Sequence, residues 1–177
     1  MSIQAQQINQ WLNELSQGSA EPLTLDEDGR CTLVADDVEL VVSTTPTSDQ
    51  FFINLSVVDL PESGQELFYR QALTFNLFQQ DTRGASLAID PQSNEMVLCY
   101  THAIEGTELN HFNNIVQNLI ETTKSLRTQL EQTVRDAANA PQPSAPAAPA
   151  PQASDYAPAP AMSGHAPDHL VHFMNMA

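Results

Sequence analysis

Positive charge is what this sequence has least of. Of 177 residues only six are Lys or Arg, against 22 Asp or Glu, for a formal net charge of −16. Lysine occurs once, as Lys124. Such a surface repels phosphate backbones and anionic lipid, so neither nucleic acid nor membrane is an expected partner. Glycine is scarce as well. The six present form no Gly-x-Gly-x-x-Gly and no Gly-Lys-Ser/Thr, which removes the loops that cradle nucleotide phosphates. There are two cysteines, Cys31 and Cys99, and no basic, continuously apolar N-terminal segment. Both features point to free buried thiols in the cytoplasm. No run approaches the roughly 18 apolar residues of a membrane span.

What is present divides at about residue 138. Before it the chain mixes apolar and polar residues as a globular protein does, and it carries all six basic and 20 of the 22 acidic residues, a net of −14. After it Pro, Ala, Ser and Gln dominate, with eight of the twelve prolines between Pro141 and Pro167. The expected organisation is a domain over 1–138, a Pro/Ala-rich disordered linker over 139–164, and a short apolar tail over 165–177.

Within the domain, Ile8, Leu12 and Leu15 recur at helical spacing beside Trp11, which predicts an amphipathic helix over 3–17. Four strand-like runs follow: Leu23–Asp26, Arg30–Ala35, Val38–Thr45 and Phe51–Val58, separated by turn residues. Alternation places Leu40 and Val42 on one face with Val41 opposite, and Phe51, Ile53, Leu55 and Val57 on one face with Phe52 opposite. A second helix from Pro61 to about Phe78 is apolar on several sides at once. One small sheet covers only one side, so a dimer interface is expected there. A hairpin, Ala85–Asp90 with Met96–Ala103, precedes a last helix from about Thr107 to Ala138. In that helix Leu109, Phe112, Val116, Leu119, Thr123, Leu126 and Leu130 form a heptad-like seam. The fold class is α+β: a twisted antiparallel sheet with three helices, in the order α-β-β-β-α-β-β-α, as a homodimer.

Chemistry is hard to find. Five carboxylates crowd residues 23–37. With Gly29 placed at position 6 of a calcium loop, Thr24 falls at position 1 and Ala35 at position 12, so both anchoring ligands are missing. The acids read as hairpin turns. Cys99 and His102 are three apart on one strand, hence on opposite faces, which argues against a dyad. His165, His169 and His172 are helically spaced but have no ligand-like neighbour except Asp168. No catalytic residues, no cofactor and no metal site are expected.

The pattern resembles a family. Leu23-x-Leu25-Asp26-Glu27-Asp28-Gly29-x-Cys31-x-Leu33, the Asp36-Asp37 turn, Leu60-Pro61, and Asn76-Leu77 followed by Thr82-x-Gly84-Ala85-x-Leu87-Ala88-x-Asp90 are similar to the class I type III secretion chaperones, the CesT/Tir chaperone family, over roughly residues 3–135. The resemblance implies a small, acidic, non-enzymatic homodimer of the bacterial cytoplasm. It also implies that the protein holds the N-terminal segment of one or more secreted effectors extended, by strand addition and pocket filling. On this basis Ile8, Trp11, Leu12, Val34, Val41 and Phe52 are the expected effector contacts. Phe68, Ala72, Phe75 and Leu87 are the expected dimer contacts. The tail, with Leu170, Val171, Phe173, Met174 and Met176, departs from the family and reads as a tethered docking peptide for the secretion ATPase, an effector or the chaperone's own patches. The alternative function is a regulatory adaptor that sequesters a transcription or secretion regulator through its long third helix.

Overall fold

A computed structural model describes residues 2–17, 22–77 and 79–139. The elements are α1 (Ile3–Leu15), β1 (Arg30–Ala35), β2 (Val38–Thr44), β3 (Gln50–Asp59), α2 (Gln65–Asn76), β4 (Ser86–Asp90), β5 (Glu95–Ala103) and α3 (Leu109–Asn139). The expected α-β-β-β-α-β-β-α order is observed. The strands form one antiparallel sheet in the order β1-β2-β3-β5-β4, so β1 and β4 are its two edges. The linker and tail expected over 139–177 lie outside the described residues, apart from Asn139, which is the last residue of α3.

Alternation along the strands explains why the helices occupy one side. Val38, Leu40 and Val42 of β2, Phe51, Ile53 and Leu55 of β3 and Leu98 of β5 are wholly buried beneath them. The periodicity of α1 delivers Ile8, Trp11 and Leu12 into the same core. Trp11 stacks on Phe112 of α3 with centroids 5.1 Å apart, and Phe51 meets both rings edge-on. Ser2 caps α1 by accepting a hydrogen bond from the Ala5 N–H at its Oγ. Along α3, Phe112, Val116, Leu119, Thr123, Leu126 and Leu130 are all buried. The heptad-like seam is therefore buried within the chain's own core, against the sheet, α1 and α2, rather than left free for a coiled coil.

One of the few cations fastens α3. Arg127 donates from Nε to the Val57 carbonyl (2.6 Å), from Nη2 to Ser56 (3.2 Å) and from Nη1 to Asp37 (3.3 Å). The register of β3 on β5 slips between Ser56 and Val58, and the guanidinium satisfies carbonyls next to that irregularity.

Leu23–Asp26 is not a strand. Its backbone is claimed by side chains and by the turn: Leu25 donates to Asn9 Oδ1, and Asp26 donates to the Arg30 carbonyl. Helix α2 begins at Gln65, after Gly64 at φ 73°, rather than at Pro61.

Candidate functional site

The acids of residues 26–37 build turns. Asp26 Oδ1 accepts from the N–H groups of both Asp28 and Arg30, each at 2.9 Å. Gly29 follows at φ 74°, where a Cβ would stand 2.5 Å from the Thr44 carbonyl oxygen, so no other residue fits. Asp36 and Asp37, at φ 52° and 62°, form the two-residue turn that joins β1 to β2. Lys124 Nζ lies 3.3 Å from Asp36 on the exposed surface. Among the described residues no group of three His, Cys, Asp or Glu is placed to hold a metal ion.

The thiols are also structural. Burial, reinforced by the Asp26 charge, raises the Cys31 thiol above its ordinary pKa; burial and then Asp90 do the same for Cys99. Cys99 pairs with Asn54 on the helix-free face of the sheet. His102 instead packs against Phe51, Tyr100 and His111. The two side chains are separated by the sheet itself.

The residues expected to touch an effector fall into two groups. Ile8, Trp11 and Leu12 are buried in the core of the single chain, so they present no free surface. The stripe on α1 is real, and in the single chain α3 and β3 cover it. Val34, Val41 and Phe52 lie instead on the face without helices; Val34 is 69% exposed and the other two are half-buried. They run diagonally across β1, β2 and β3. Beside them is a shallow groove of 340 Å³ lined by Arg30, Glu39, Val41, Asn54, Glu95 and Val97. A second cavity, of 470 Å³, lies beside the start of β1, with Ala5, Leu25 and Pro46 forming apolar walls and Asp26, Glu27 and Asp28 at the rim.

The expected dimer contacts lie on α2 and β4. Phe68, Ala72, Phe75 and Leu87 are buried within the single chain, because α2 packs on α3 and β4. The uncovered apolar surface of α2 is Leu73 (68% exposed) and Leu67, joined by Leu77 (61%) just past the helix end and by Ile89 of β4. Leu73 and Ile89 flank a groove of 230 Å³ floored by Tyr69, Ala72, Leu87 and Met96. The sequence carried a signal for this: α2 is apolar in more sectors than one chain can bury.

The remaining surface feature is backbone. In an antiparallel pair alternate residues turn their N–H and C=O away from the partner strand. Thr44 donates to the Gly29 carbonyl, so on β1 the outward-facing residues are Arg30, Thr32 and Val34. The Arg30 pair is closed by Asp26, through its Oδ1 and its own N–H. Thr32 and Val34 have no such cover among the described residues, leaving two successive open positions on an exposed edge.

A family model, the Tir chaperone protein (CesT) family, matches residues 6–127. No curated protein matches the chain. Among solved structures, a chain of the ExsC-ExsE complex superposes with a TM-score of 0.64 at 19% identity, covering 73% of this chain and 97% of that one. A chain of the HopA1-SchA chaperone-effector complex gives 0.57 at 17% identity, covering 72% and 98%. A chain of the ExoU-SpcU complex from the type III secretion system of Pseudomonas aeruginosa gives 0.52 at 16%, covering 71% and 96%. At these identities the likeness is one of fold.

Proposed function

We propose that this chain, which belongs to the Tir chaperone protein (CesT) family, is a cytoplasmic type III secretion chaperone. It binds the N-terminal segment of one or more effectors and keeps that segment extended, soluble and ready for export. The observation that carries the reading is the family match over residues 6–127, which spans every element from α1 into α3. An open β1 edge beside Val34, Val41 and Phe52 supplies the physical means. An extended segment gains backbone hydrogen bonds at Thr32 and Val34 while its side chains cover the apolar diagonal. The acidic surface favours a partner of opposite charge. The protein acts by holding and has no catalytic step.

The working unit in this reading is a homodimer joined through Leu67, Leu73, Leu77 and Ile89. These four large apolar residues are too many to leave in water on one small face. No helix among the described residues is long and apolar enough to cross a membrane. Residues 165–177 lie outside the described part; as a sequence they suit a tethered docking peptide for the secretion ATPase or an effector. The adaptor reading required Leu119, Leu126 and Leu130 to be free for a coiled coil, and all three are buried in the chain's own core.

The deciding experiment is purification of the tagged full chain from its native cell under secretion-inducing conditions, paired with secretion assays in a deletion strain. A chaperone co-purifies with at least one secreted protein whose export falls in the deletion strain. Unchanged export of every secreted protein defeats the proposal.

A further inference from the structure

We propose that Asn76 is a positioning residue that closes the β4 edge to an incoming strand and so directs the partner's strand to Thr32 and Val34 of β1. The inference rests on the reading that the partner binds by strand addition, and it concerns which edge is used.

On β4 the outward-facing residues are Leu87 and Ile89. Asn76, the last residue of α2, claims the first of them. Its Oδ1 accepts the Leu87 N–H at 2.8 Å, and its Nδ2 donates to the Leu87 carbonyl at 3.1 Å. A side-chain amide carries one acceptor and a donor in one plane, the same pair that a residue of an adjoining strand would present. The opposite orientation of the amide would set donor against donor, so the two bonds fix it. Asn76 therefore imitates one residue of a sixth strand.

The consequence follows from counting open positions. With Asn76 in place only Ile89 is left, between the occupied Leu87 and the hairpin turn that begins at Pro91. One residue does not start a ladder. Without Asn76, β4 would offer Leu87 and Ile89, the same run of two that β1 offers at Thr32 and Val34. It would offer them beside Leu73, Leu77 and Ile89, the more apolar surroundings. Exposed edges of that kind recruit strands indiscriminately. Asn76 is what makes the two edges unequal, and it leaves the α2–β4 groove to bind by side-chain packing.

Nuclear magnetic resonance of the full chain, with Leu73→Asp in every sample to free the α2–β4 face from the homodimer, tests this with a short nitroxide-labelled peptide of alternating valine and lysine, whose charge suits an acidic protein; wild type here refers to residue 76. In the wild type the Leu87 amide is protected from hydrogen exchange, and the peptide broadens Thr32 and Val34 but not Leu87 or Ile89. In Asn76→Ala, and in the milder Asn76→Ser, Leu87 exchanges roughly tenfold faster or more, and broadening spreads to Leu87 and Ile89. Broadening of the β4 edge in the wild type overturns the proposal, as does no broadening at the β1 edge. So does a folded variant that keeps Leu87 protected or gains no peptide contact there. If neither variant folds, the wild-type spectrum alone decides between the edges. Co-purification tests the chaperone reading separately, so the two can fail independently.

Discussion

The two edges of the sheet carry clamps of similar chemistry in different places. On β1 the clamp is local: Asp26 reaches four residues along the chain to Arg30, at the strand's first residue, and leaves two open positions beyond it. On β4 the clamp is tertiary: Asn76 reaches from the end of a helix to Leu87, the first of two outward-facing positions, and leaves one. Each clamp makes two hydrogen bonds to one residue. The difference in what the edge can accept comes from strand length: β1 has three outward-facing positions and β4 has two, and each clamp takes the first. The flanks differ in the same sense. Acids and one exposed valine border the β1 edge, whereas three exposed aliphatic side chains border β4. One edge suits an extended, oppositely charged segment, and the other suits a second apolar surface.

The strongest way to break this comparison is Val34→Pro. The lost N–H faces outward and no strand of the sheet uses it, so stability should change by less than about 1 kcal/mol. A co-expressed effector segment should nevertheless no longer be retained. Val34→Thr keeps the N–H and should retain it; equal retention by both variants would remove strand addition at β1. Next in size is Leu73→Asp combined with Ile89→Asp. Two charges on the α2–β4 face should weaken self-association by about 30-fold or more, seen as monomer by light scattering. Both residues are exposed in the single chain, so the monomer should stay folded, and an unchanged dimer would move the interface elsewhere.

Asp26→Ala should cost about 1–2 kcal/mol in urea unfolding, since two N–H groups lose their acceptor. Asp26→Asn should recover most of that, because an amide oxygen accepts equally from both. The smallest effect is alkaline. The Cys31 thiol is raised in the folded state, so the folded protein holds this proton more tightly than the unfolded chain. Its contribution is complete below about pH 8.5 and is lost as pH rises through the raised folded value. Cys31→Ala should flatten that decline in thermal unfolding measured against pH.

Much of the fold was legible because it depends on periods of two and of about 3.6. The alternation of Val38–Thr44 and of Phe51–Val57 identified both strands and their inward faces, and the spacing of Ile8, Leu12 and Leu15 identified α1. Period cannot say which body covers a stripe. Trp11 and Leu12 look the same in sequence whether α3 or a partner buries them, and the choice is made by where residue 112 lands after three helices and five strands have folded. The same limit applies to α2, where Phe68 and Leu73 are equally apolar and only the position of α3 separates them. Asp26 and Asn76 were illegible for another reason. A lone Asp in a turn and a lone Asn at a helix end already have ordinary local explanations, so nothing in their neighbours indicates a clamp.

Arg127 carries an implication for how the molecule is made. The carbonyls it gathers belong to Ser56, Val57 and Asp37, between 70 and 90 residues earlier in the chain. Leu126 and Leu130, wholly buried, arrive at the same time. During synthesis the sheet must therefore wait, with that end unsealed, until nearly the whole of the described region has left the ribosome. Contacts so distant in sequence slow folding and prolong the life of incomplete species. In that interval the nascent chain depends on its own abundant like charge to stay apart from its neighbours. The acidity of the protein thus acts earliest as protection during its birth.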